Sequence, residues 1–183
     1  MKFLAKRSIH LSPRIGSLVG PKPTVLVTCR SPQGRANIIT VAAVTVASHD
    51  PPMFVISIKE NRFSHNLIKE TGEFVINVPS TKLIEATKLC GTLSGREADK
   101  FREARLTMEP GRVVSAPMIK ECPINIECKV VASMKPGTHT LFVGQVVAAH
   151  VEDGLFDGEK LNLENFPTIL FNGPEYRKPG EVL

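Results

Sequence analysis

The sequence predicts a mainly β protein, an antiparallel β-barrel with a few peripheral helices. Three observations favour this class. First, β-branched and apolar runs outnumber helical patterns. Second, most of these runs begin and end at Pro, Gly or Asp. Third, several runs are close enough along the chain to pair as antiparallel neighbours. A closed or nearly closed barrel buries the apolar face of each such strand. The length of 183 residues fits one domain of this kind.

Seven segments carry the strand signal. They are rich in β-branched residues, and some alternate apolar with polar side chains as half-buried strands do. In chain order they are Thr24–Cys29, Ile38–Ala47, Met53–Ile58, Glu73–Val78, Ile124–Ala132, Thr140–Ala149 and Pro167–Phe171. Gly144 interrupts the sixth segment and indicates a β-bulge.

Three shorter segments favour helix. Ser64 is a candidate N-cap for His65–Glu70, and Ser80 is a candidate N-cap for Thr81–Leu89. Arg96–Ala104 predicts a short, charged helix. We divide the chain into an N-terminal extension over 1–20, a barrel domain over 21–171 and a C-terminal tail over 172–183 that is rich in Gly, Pro and charge.

The charge is unevenly distributed along the chain. The net charge is +5, and seven basic residues but no acidic residue precede Asp50. A basic N-terminal third favours an anionic partner, either nucleic acid or a phosphorylated cofactor, although a solvated basic face is an equally good interpretation of charge alone. The longest stretch without charge or Pro, Ala36–His49, is too short to span a bilayer, and no secretion-type apolar segment follows the basic N-terminus. We therefore expect a cytoplasmic protein without a membrane partner.

No motif for hydrolytic or metal-dependent chemistry is present. The sequence lacks a P-loop, GxSxG, HExxH and GxGxxG, and its five His residues do not have metal-ligand spacing. A catalytic triad whose members are distant in sequence and meet only in the folded protein is an alternative that these motifs do not test. The four Cys residues form no CxxC pair, so we expect free thiols and no metal site.

Three polar clusters are candidate binding segments. The first is Arg35–Thr45, where Asn37, Thr40 and Thr45 interrupt a strand of small apolar residues that would let a flat ligand approach the backbone. The alternative is a plain barrel strand. A separate single candidate is His139, which stands near the start of a strand and is either a cleft residue or an ordinary surface histidine.

The other two clusters have the composition of anion sites. In Ser57–Asn66, a serine and an arginine precede a predicted helix N-terminus, where backbone N–H groups point outward. In Gly91–Phe101, the turn Ser94–Arg96 is rich in donors and resembles an anion-binding nest. The alternatives are an ordinary helix cap with an exposed Arg, and a solvated loop with a charged helix.

Taken in order, these segments resemble the flavin reductase-like, FMN-binding split-barrel family, and within it the flavoredoxin type. The resemblance covers most of residues 21–150. It is carried by PP before a strand at Pro51–Pro52, SGREADKF at Ser94–Phe101 and GTHTLFVG at Gly137–Gly144. Each motif alone is weak, and their combination in this order is specific. The resemblance implies a split β-barrel of the antiparallel Greek-key type with bound FMN, in a homodimer whose second subunit completes the site.

The resemblance also implies roles for individual residues. One group lines the phosphate–ribityl and isoalloxazine side of FMN, a second holds the phosphate, a third closes the site, and His139 is the catalytic residue near the flavin and nicotinamide. The first group is Asn37, Thr40, Ala42, Ala43, Val44 and Thr45; the second is Ser57, Arg62 and Ser64; the third is Ser94, Gly95, Arg96 and Lys100. Phe63 is a further cofactor-binding residue that the resemblance implies. Ala43 stands where many relatives have Trp. The resemblance therefore does not fix the affinity for the flavin or its reduction potential.

The implied function is that of an FMN-dependent oxidoreductase. NADH, NADPH or a redox protein would reduce bound FMN, which would pass electrons to flavin, iron or another acceptor. Because a flavin accepts hydride at its own N5, the protein needs no nucleophile. A non-enzymatic FMN-binding electron carrier is the alternative. A basic barrel that binds nucleic acid is disfavoured, because the strands lack exposed aromatic residues for base stacking.

Overall fold

The computed structural model describes residues 13–162, 164 and 166–180. Strands dominate this part of the chain, as predicted. In chain order they are β1 (Lys22–Pro23), β2 (Val25–Arg30), β3 (Ala36–Val41), β4 (Val44–His49), β5 (Pro52–Lys59), β6 (Glu73–Val78), β7 (Met108–Glu109), β8 (Met118–Ile119), β9 (Ile124–Met134), β10 (His139–Val151), β11 (Leu170–Asn172) and β12 (Glu175–Arg177).

The helices are short and lie between strands. They are α1 (Phe63–Thr71), α2 (Ile84–Thr92) and α3 (Lys100–Glu103), with single 3-10 segments at Pro13–Leu18 and Thr81–Leu83. α3 is shorter than the predicted helix over Arg96–Ala104. Asp99 ends the preceding loop by accepting hydrogen bonds from the backbone N–H groups of Phe101 and Arg102, at 3.0 and 3.3 Å. This cap starts the helix four residues later than the charge pattern indicated.

Seven strands form one antiparallel sheet in the order β3-β2-β6-β9-β10-β5-β4. The two edge strands of this sheet, β3 and β4, are consecutive in the chain and are joined by Ala42 and Ala43. The backbone N–H of Ser57 donates to Ala43 O at 2.9 Å, so β5 also contacts the joint. The sheet therefore closes on itself, which confirms the predicted barrel. The sequence pattern had predicted one strand over Ile38–Ala47, and the chain bends there to reach both edges.

The connection from β5 to β6 crosses one end of the barrel and contains α1. Ser64, His65, Leu67 and Ile68 are the buried residues of this helix. Leu67 and Ile68 join the interior cluster of alternate strand residues, for example Val27, Ile56 and Phe74. α1 thus plugs the barrel end at which β3 begins and β5 ends.

Gly144 confirms the predicted bulge in β10. The register against β9 shifts between Val143 and Gly144. A Cβ on Gly144 would lie 2.7 Å from Phe74 Cε1 and 2.9 Å from Cys128 Cβ. The ring of Phe74 fills the barrel interior at this point, so only glycine lets the two strands approach.

A second apolar layer covers the outer face of β2 and β3. Leu26 and Ile38 point outward and pack with Cys90, Phe101 and Leu106 under α2, α3 and the loop after α3. This layer fixes the loop between α2 and α3 against β3. It places polar loop residues beside the start of α1.

The C-terminal segment returns to the barrel as a hairpin. β11 pairs with β1 on one side and with β12 on the other. β12 lies within the segment 172–183 that the sequence analysis separated as a tail. Elsewhere, all four cysteines are buried free thiols, as predicted. Within the described ranges, no helix has the length and apolarity needed to cross a membrane.

Candidate functional site

A polar cleft of about 70 Å³ opens between the start of β3, the first turn of α1 and the loop from α2 to α3. The structure brings together eight of the predicted cofactor-binding residues here. They are Asn37, Arg62, Phe63, Ser64, Ser94, Gly95, Arg96 and Lys100, and the lining is completed by Ile39, Asn61, Cys90, Gly91 and Leu93. Three segments that are 20 to 30 residues apart in sequence thus form one site.

The base of the cleft is a hydrogen bond between two buried side chains. Asn37 Nδ2 donates to Ser64 Oγ at 2.7 Å, which ties β3 to the first turn of α1. Gly95 packs directly on this pair: a Cβ at position 95 would lie 2.6 Å from Asn37 Cγ and 2.9 Å from Phe63 Cδ1. The loop can approach β3 this closely only because residue 95 has no side chain.

Lys100 supplies a buried positive charge. The residue is 5% exposed, and its ammonium donates to Ile38 O and to Cys90 O, both at 2.8 Å. Burial lowers the pKa of Lys100 from its ordinary value, and the charge of Arg62 lowers it further. None of the residues that line the cleft is acidic. An anion in the cleft would therefore find a cation with no competing carboxylate.

Phe63 carries two guanidinium groups at the rim of the cleft. Arg35 Cζ lies 4.9 Å from the centroid of the ring, and Arg96 Cζ lies 5.5 Å from it. Arg35 also donates to Gly95 O, and Arg96 donates to Asn61 O at 3.0 Å. These contacts fix the orientation of both arginines. Arg35 begins the first predicted binding segment, Arg35–Thr45, but the sequence analysis assigned it no individual role in the site.

The positive end of α1 faces the same cleft. Arg62 is the N-cap residue of this nine-residue helix, and its side chain makes no capping hydrogen bond. The predicted cap, Ser64, lies inside the first turn and receives the hydrogen bond of Asn37 instead. Exposed N–H groups and the helix dipole favour an anion at such a position. Together with Arg62, Arg96 and Lys100, they give the cleft a charge that suits a phosphate-sized anion.

The other predicted flavin-lining residues lie outside the cleft. Thr40 and Ala42 line an adjoining cavity of about 280 Å³, which shares Gly91 with the cleft. Thr40 Oγ1 donates to Thr87 O at 2.6 Å and so holds α2 against β3. Val44 and Thr45 line a separate apolar cavity of about 500 Å³ at the barrel end opposite α1.

Ala43, Ser57 and His139 contribute no lining to the cleft. Ala43 is exposed at the joint of β3 and β4, beside Ser57. His139 is exposed at the first position of β10, where its Nδ1 lies 2.9 Å from Thr138 Oγ1. In the described ranges, no group of three or more His, Cys, Asp or Glu side chains is placed to hold a metal ion.

A family model for the flavin reductase like domain matches residues 19–178. The chain belongs to the flavin reductase-like family. This result confirms the resemblance on which the predicted split-barrel fold and site residues depend.

Individual relatives agree with this assignment. The structure resembles flavoredoxin of Desulfovibrio vulgaris (Miyazaki F) with a TM-score of 0.87 and 28% identity, covering 98% of this chain and 96% of that chain. It resembles the FMN-binding protein from Thermus thermophilus with bound 1-cyclohex-2-enone with a TM-score of 0.83 and 26% identity, over 99% and 98% of the two chains. In sequence, the chain is 32% identical over 132 residues to the reductase component of the FADH(2)-dependent resorcinol hydroxylase of Rhizobium sp., over 71% of this chain and 70% of the relative.

The residues present fit a flavin mononucleotide in two respects. The cleft has the size and charge for a terminal phosphate, and Gly91 lines both the cleft and a larger neighbouring cavity. That cavity is bounded by small side chains on the β3 side, which leave room for a flat group next to the backbone. The family's flavin-related chemistry and the donor set of the cleft therefore agree.

Proposed function

We propose that this protein binds FMN with its phosphate in the cleft and acts as a flavoprotein oxidoreductase. It takes electrons from NADH, NADPH or a redox protein and delivers them to free flavin, iron or another acceptor. The observation that carries the proposal is the cleft itself: Arg62, Arg96 and Lys100 line it together with the first turn of α1, and no acidic residue does. The names of the Thermus and Rhizobium relatives support FMN as the ligand and reduction as the activity.

The roles of the residues follow from their positions. Lys100, fixed by two carbonyl groups, neutralises one phosphate oxygen, while Arg62 and Arg96 approach from the open side. Ser64 and Ser94 supply neutral hydroxyl groups. When bound, FMN supplies hydride and single-electron chemistry at its own ring. The chain's task is to hold the phosphate, position the ring beside β3 and leave one ring face accessible.

His139 and the joint of β3 and β4 belong to the proposal as well. His139 is exposed and free to contact a nicotinamide or an acceptor that approaches the ring from outside. A second copy of the chain is proposed to cover β4, since Val46 on this strand is 48% exposed and β4 pairs within the described sheet only with β5. Sedimentation equilibrium of the purified protein tests this: a dimer is expected, and a monomer at all concentrations contradicts it.

An electron carrier without its own reductase activity is the second candidate function. The structural likeness to a flavoredoxin favours it. The two differ in the electron donor. A carrier is reduced slowly by NADH and NADPH and rapidly by a partner redox protein, whereas a reductase turns over with the nicotinamide alone.

A spectral experiment tests both candidates. The untagged protein is mixed with excess FMN and desalted, and its visible absorbance is recorded. A flavin spectrum that stays with the protein supports the proposal, and a colourless protein with no saturable FMN binding contradicts it. NADH and NADPH are then added without oxygen. Rapid bleaching at catalytic turnover supports the reductase, and bleaching only with a redox-protein donor supports the carrier.

A further inference from the structure

A second polar cavity, of about 250 Å³, lies beside α1. Its lining comes from α1, the end of β9, the start of β10 and the loops next to them. None of its lining residues lines the cleft. Ser64 lines the cleft, whereas the next residue of α1, His65, lines this cavity. The proposed flavin site therefore gives this cavity no role.

The buried end of the cavity is polar and held in place by packing. His65 is 5% exposed, and its Nε2 lies 2.8 Å from Thr140 Oγ1. The imidazole also packs against Phe142, with 5.3 Å between the two ring centroids. A hydroxyl has one donor and two acceptor positions, so Thr140 is able to contact His65 and a ligand at the same time.

Two lysines give the cavity its positive charge. Lys69 lines it from α1, and Lys135 lines it from the loop after β9. Lys135 Nζ lies 2.7 Å from Glu60 Oε2, and Glu60 is the one acidic residue in the lining. Lys69 forms no ion pair with a carboxylate in the ranges that the structure describes. Two ammonium groups thus face one carboxylate, and one lysine lacks a counter-ion.

Glu60 acts as an internal anion for Lys135. The hydrogen bond from Lys135 holds the pKa of the Glu60 carboxyl below its ordinary value, and the nearby charge of Lys69 lowers this pKa further. Both side chains of the ion pair are about half exposed, at 54% and 46%. Exposed ion pairs contribute little to stability, because water and salt screen them. A ligand with two negative charges is therefore able to displace Glu60 from Lys135 and to contact Lys69 as well.

The donors of the cavity fit a phosphate group better than a metal ion. Two ammonium groups match the two charges of a phosphate monoester, and lysine is a common phosphate ligand. In the described ranges, no three His, Cys, Asp or Glu side chains are placed to hold a metal ion. The cavity, at about 250 Å³, has more than three times the volume of the cleft, about 70 Å³. It therefore has room for a sugar in addition to a phosphate.

We propose that this cavity is a second anion site, which binds a phosphate monoester between Lys69 and Lys135, and that Glu60 holds Lys135 when the ligand is absent. Two ligands supply this chemistry: inorganic phosphate, and NADPH through its 2′-phosphate. Thr140 follows His139, which the proposed function places beside the nicotinamide, so a phosphate site here would favour NADPH over NADH as the donor. Only this second source rests on the proposed function, and phosphate binding itself does not.

Nuclear magnetic resonance of the full chain locates the binding. The backbone amide signals of residues 65–69 and 133–140 report on the cavity, and those of residues 94–100 report on the cleft. The protein is saturated with FMN and then titrated with inorganic phosphate, NADP⁺ or NAD⁺. Phosphate and NADP⁺ are expected to shift the cavity signals. NAD⁺ has no phosphate monoester and is expected to leave them in place.

The outcomes of this titration separate the two sources. NADP⁺ that shifts the cavity signals at a lower concentration than phosphate assigns the site to the nicotinamide donor. Phosphate that shifts them when NADP⁺ does not assigns the site to the free anion. No shift with either ligand, or equal shifts with NADP⁺ and NAD⁺, overturns the proposal.

Two substitutions have opposite expected effects on the phosphate affinity of the cavity. Lys69→Met removes one ammonium group and is expected to lower the affinity on the order of 10-fold. Glu60→Gln removes the competing carboxylate and frees Lys135, so it is expected to raise the affinity about 2- to 5-fold. Both positions are exposed, and the variants are expected to fold as the wild type does. A lower affinity in the Glu60 variant contradicts the role of Glu60 as an internal anion.

Lys129→Met is the matched control for Lys69→Met. Lys129 is an exposed lysine of β9 that lines neither the cavity nor the cleft, and its loss is expected to leave phosphate affinity unchanged. Equal losses in the two variants contradict a local site. If the wild-type protein does not bind FMN, the proposed function fails, and the cavity signals still report phosphate binding in the FMN-free protein. If it binds FMN and the cavity signals stay in place, only the second anion site fails.

Discussion

Asn37 donates a 2.7 Å hydrogen bond to Ser64, and this contact joins β3 to the first turn of α1 at the base of the cleft. Gly95 closes over the pair with no room for a Cβ. The anion site is therefore built from a strand, a helix start and a loop whose mutual distance is set by one hydrogen bond and one glycine. Changing that distance should change ligand affinity without touching any cation.

Gly95→Ala tests this arrangement. The added Cβ would lie 2.6 Å from Asn37 Cγ and 2.9 Å from Phe63 Cδ1, so the loop must move outward. Overpacking of this kind costs on the order of 1–3 kcal/mol, and we expect a similar loss in FMN binding free energy. Titration of the flavin fluorescence measures this loss of affinity.

Gly137→Ala is the matched control, because a Cβ there meets nothing within 4 Å. Equal FMN affinities in the two variants would show that the position of the loop does not limit binding.

Arg62→Ala distinguishes binding of the FMN phosphate from binding of the flavin ring. The arginine lines the cleft at the N-cap of α1. Losing a charge-assisted phosphate contact should weaken FMN by about 1.5–3 kcal/mol. Riboflavin has no phosphate, so its affinity should stay unchanged. Calorimetric titration with both ligands measures the difference, and an equal loss for both would remove Arg62 from the phosphate site.

The sequence predicted the segments of the site better than their internal geometry. The PP, SGREADKF and GTHTLFVG motifs identified the family, and eight of the predicted residues meet in the cleft. Arg35 lay in a predicted segment but received no role, because that role depends on stacking against Phe63, which is 28 positions away in sequence. The hairpin of β11 and β12 was missed because the sequence signal ends at Phe171, and β12 becomes recognisable as a strand only from its pairing with β11. The break at Ala42 and Ala43 likewise arises from barrel closure, which local propensity does not encode.

Lys100 should make ligand binding depend on pH in the alkaline range. Its pKa is below the ordinary value of 10.5 because the ammonium is buried. The unfolded chain binds this proton more tightly than the folded one. The free energy of unfolding should therefore rise as pH increases from the lowered pKa of the folded protein to the ordinary value. FMN affinity should fall over the same interval as the charge is lost. The dependence of FMN affinity on pH, compared between wild type and Lys100→Met, measures the effect, and a fall of the same size in the variant would assign it to another group.

Glu127 should control the acid stability of the barrel. The residue is fully buried, and its carboxylate accepts hydrogen bonds from His150 Nε2 at 2.7 Å and from the backbone N–H groups of residues 112–114. Burial alone would raise the pKa of this carboxyl, but the hydrogen bond to His150 and those from the backbone outweigh it, so the pKa lies below its ordinary value. The stabilisation is present above the ordinary glutamate pKa and is lost as pH falls through the lowered one.

Glu127→Gln removes that charge and leaves several donors without a full partner. We expect a loss of about 3–5 kcal/mol in the free energy of unfolding at neutral pH, with a weaker dependence on acid than in the wild type. Urea denaturation at a series of pH values measures both quantities. The exposed Glu152→Gln serves as the control and should change stability by less than about 0.5 kcal/mol. A neutral effect of the Glu127 substitution would show that the loop over 112–114 is held by packing alone.

Thr24 and Thr28 offer a matched pair of substitutions with opposite expected signs. Both side chains are buried near or within β2, but the Thr24 hydroxyl has no partner, whereas the Thr28 hydroxyl donates to Pro117 O and accepts from Asn77 Nδ2 at 3.1 Å. Thr24→Val should therefore stabilise the ligand-free protein by about 1 kcal/mol, and Thr28→Val should destabilise it by about 1–3 kcal/mol. Thermal unfolding of the ligand-free variants measures both effects, and a Thr24→Val variant that is less stable than the wild type would contradict the unpaired state of its hydroxyl.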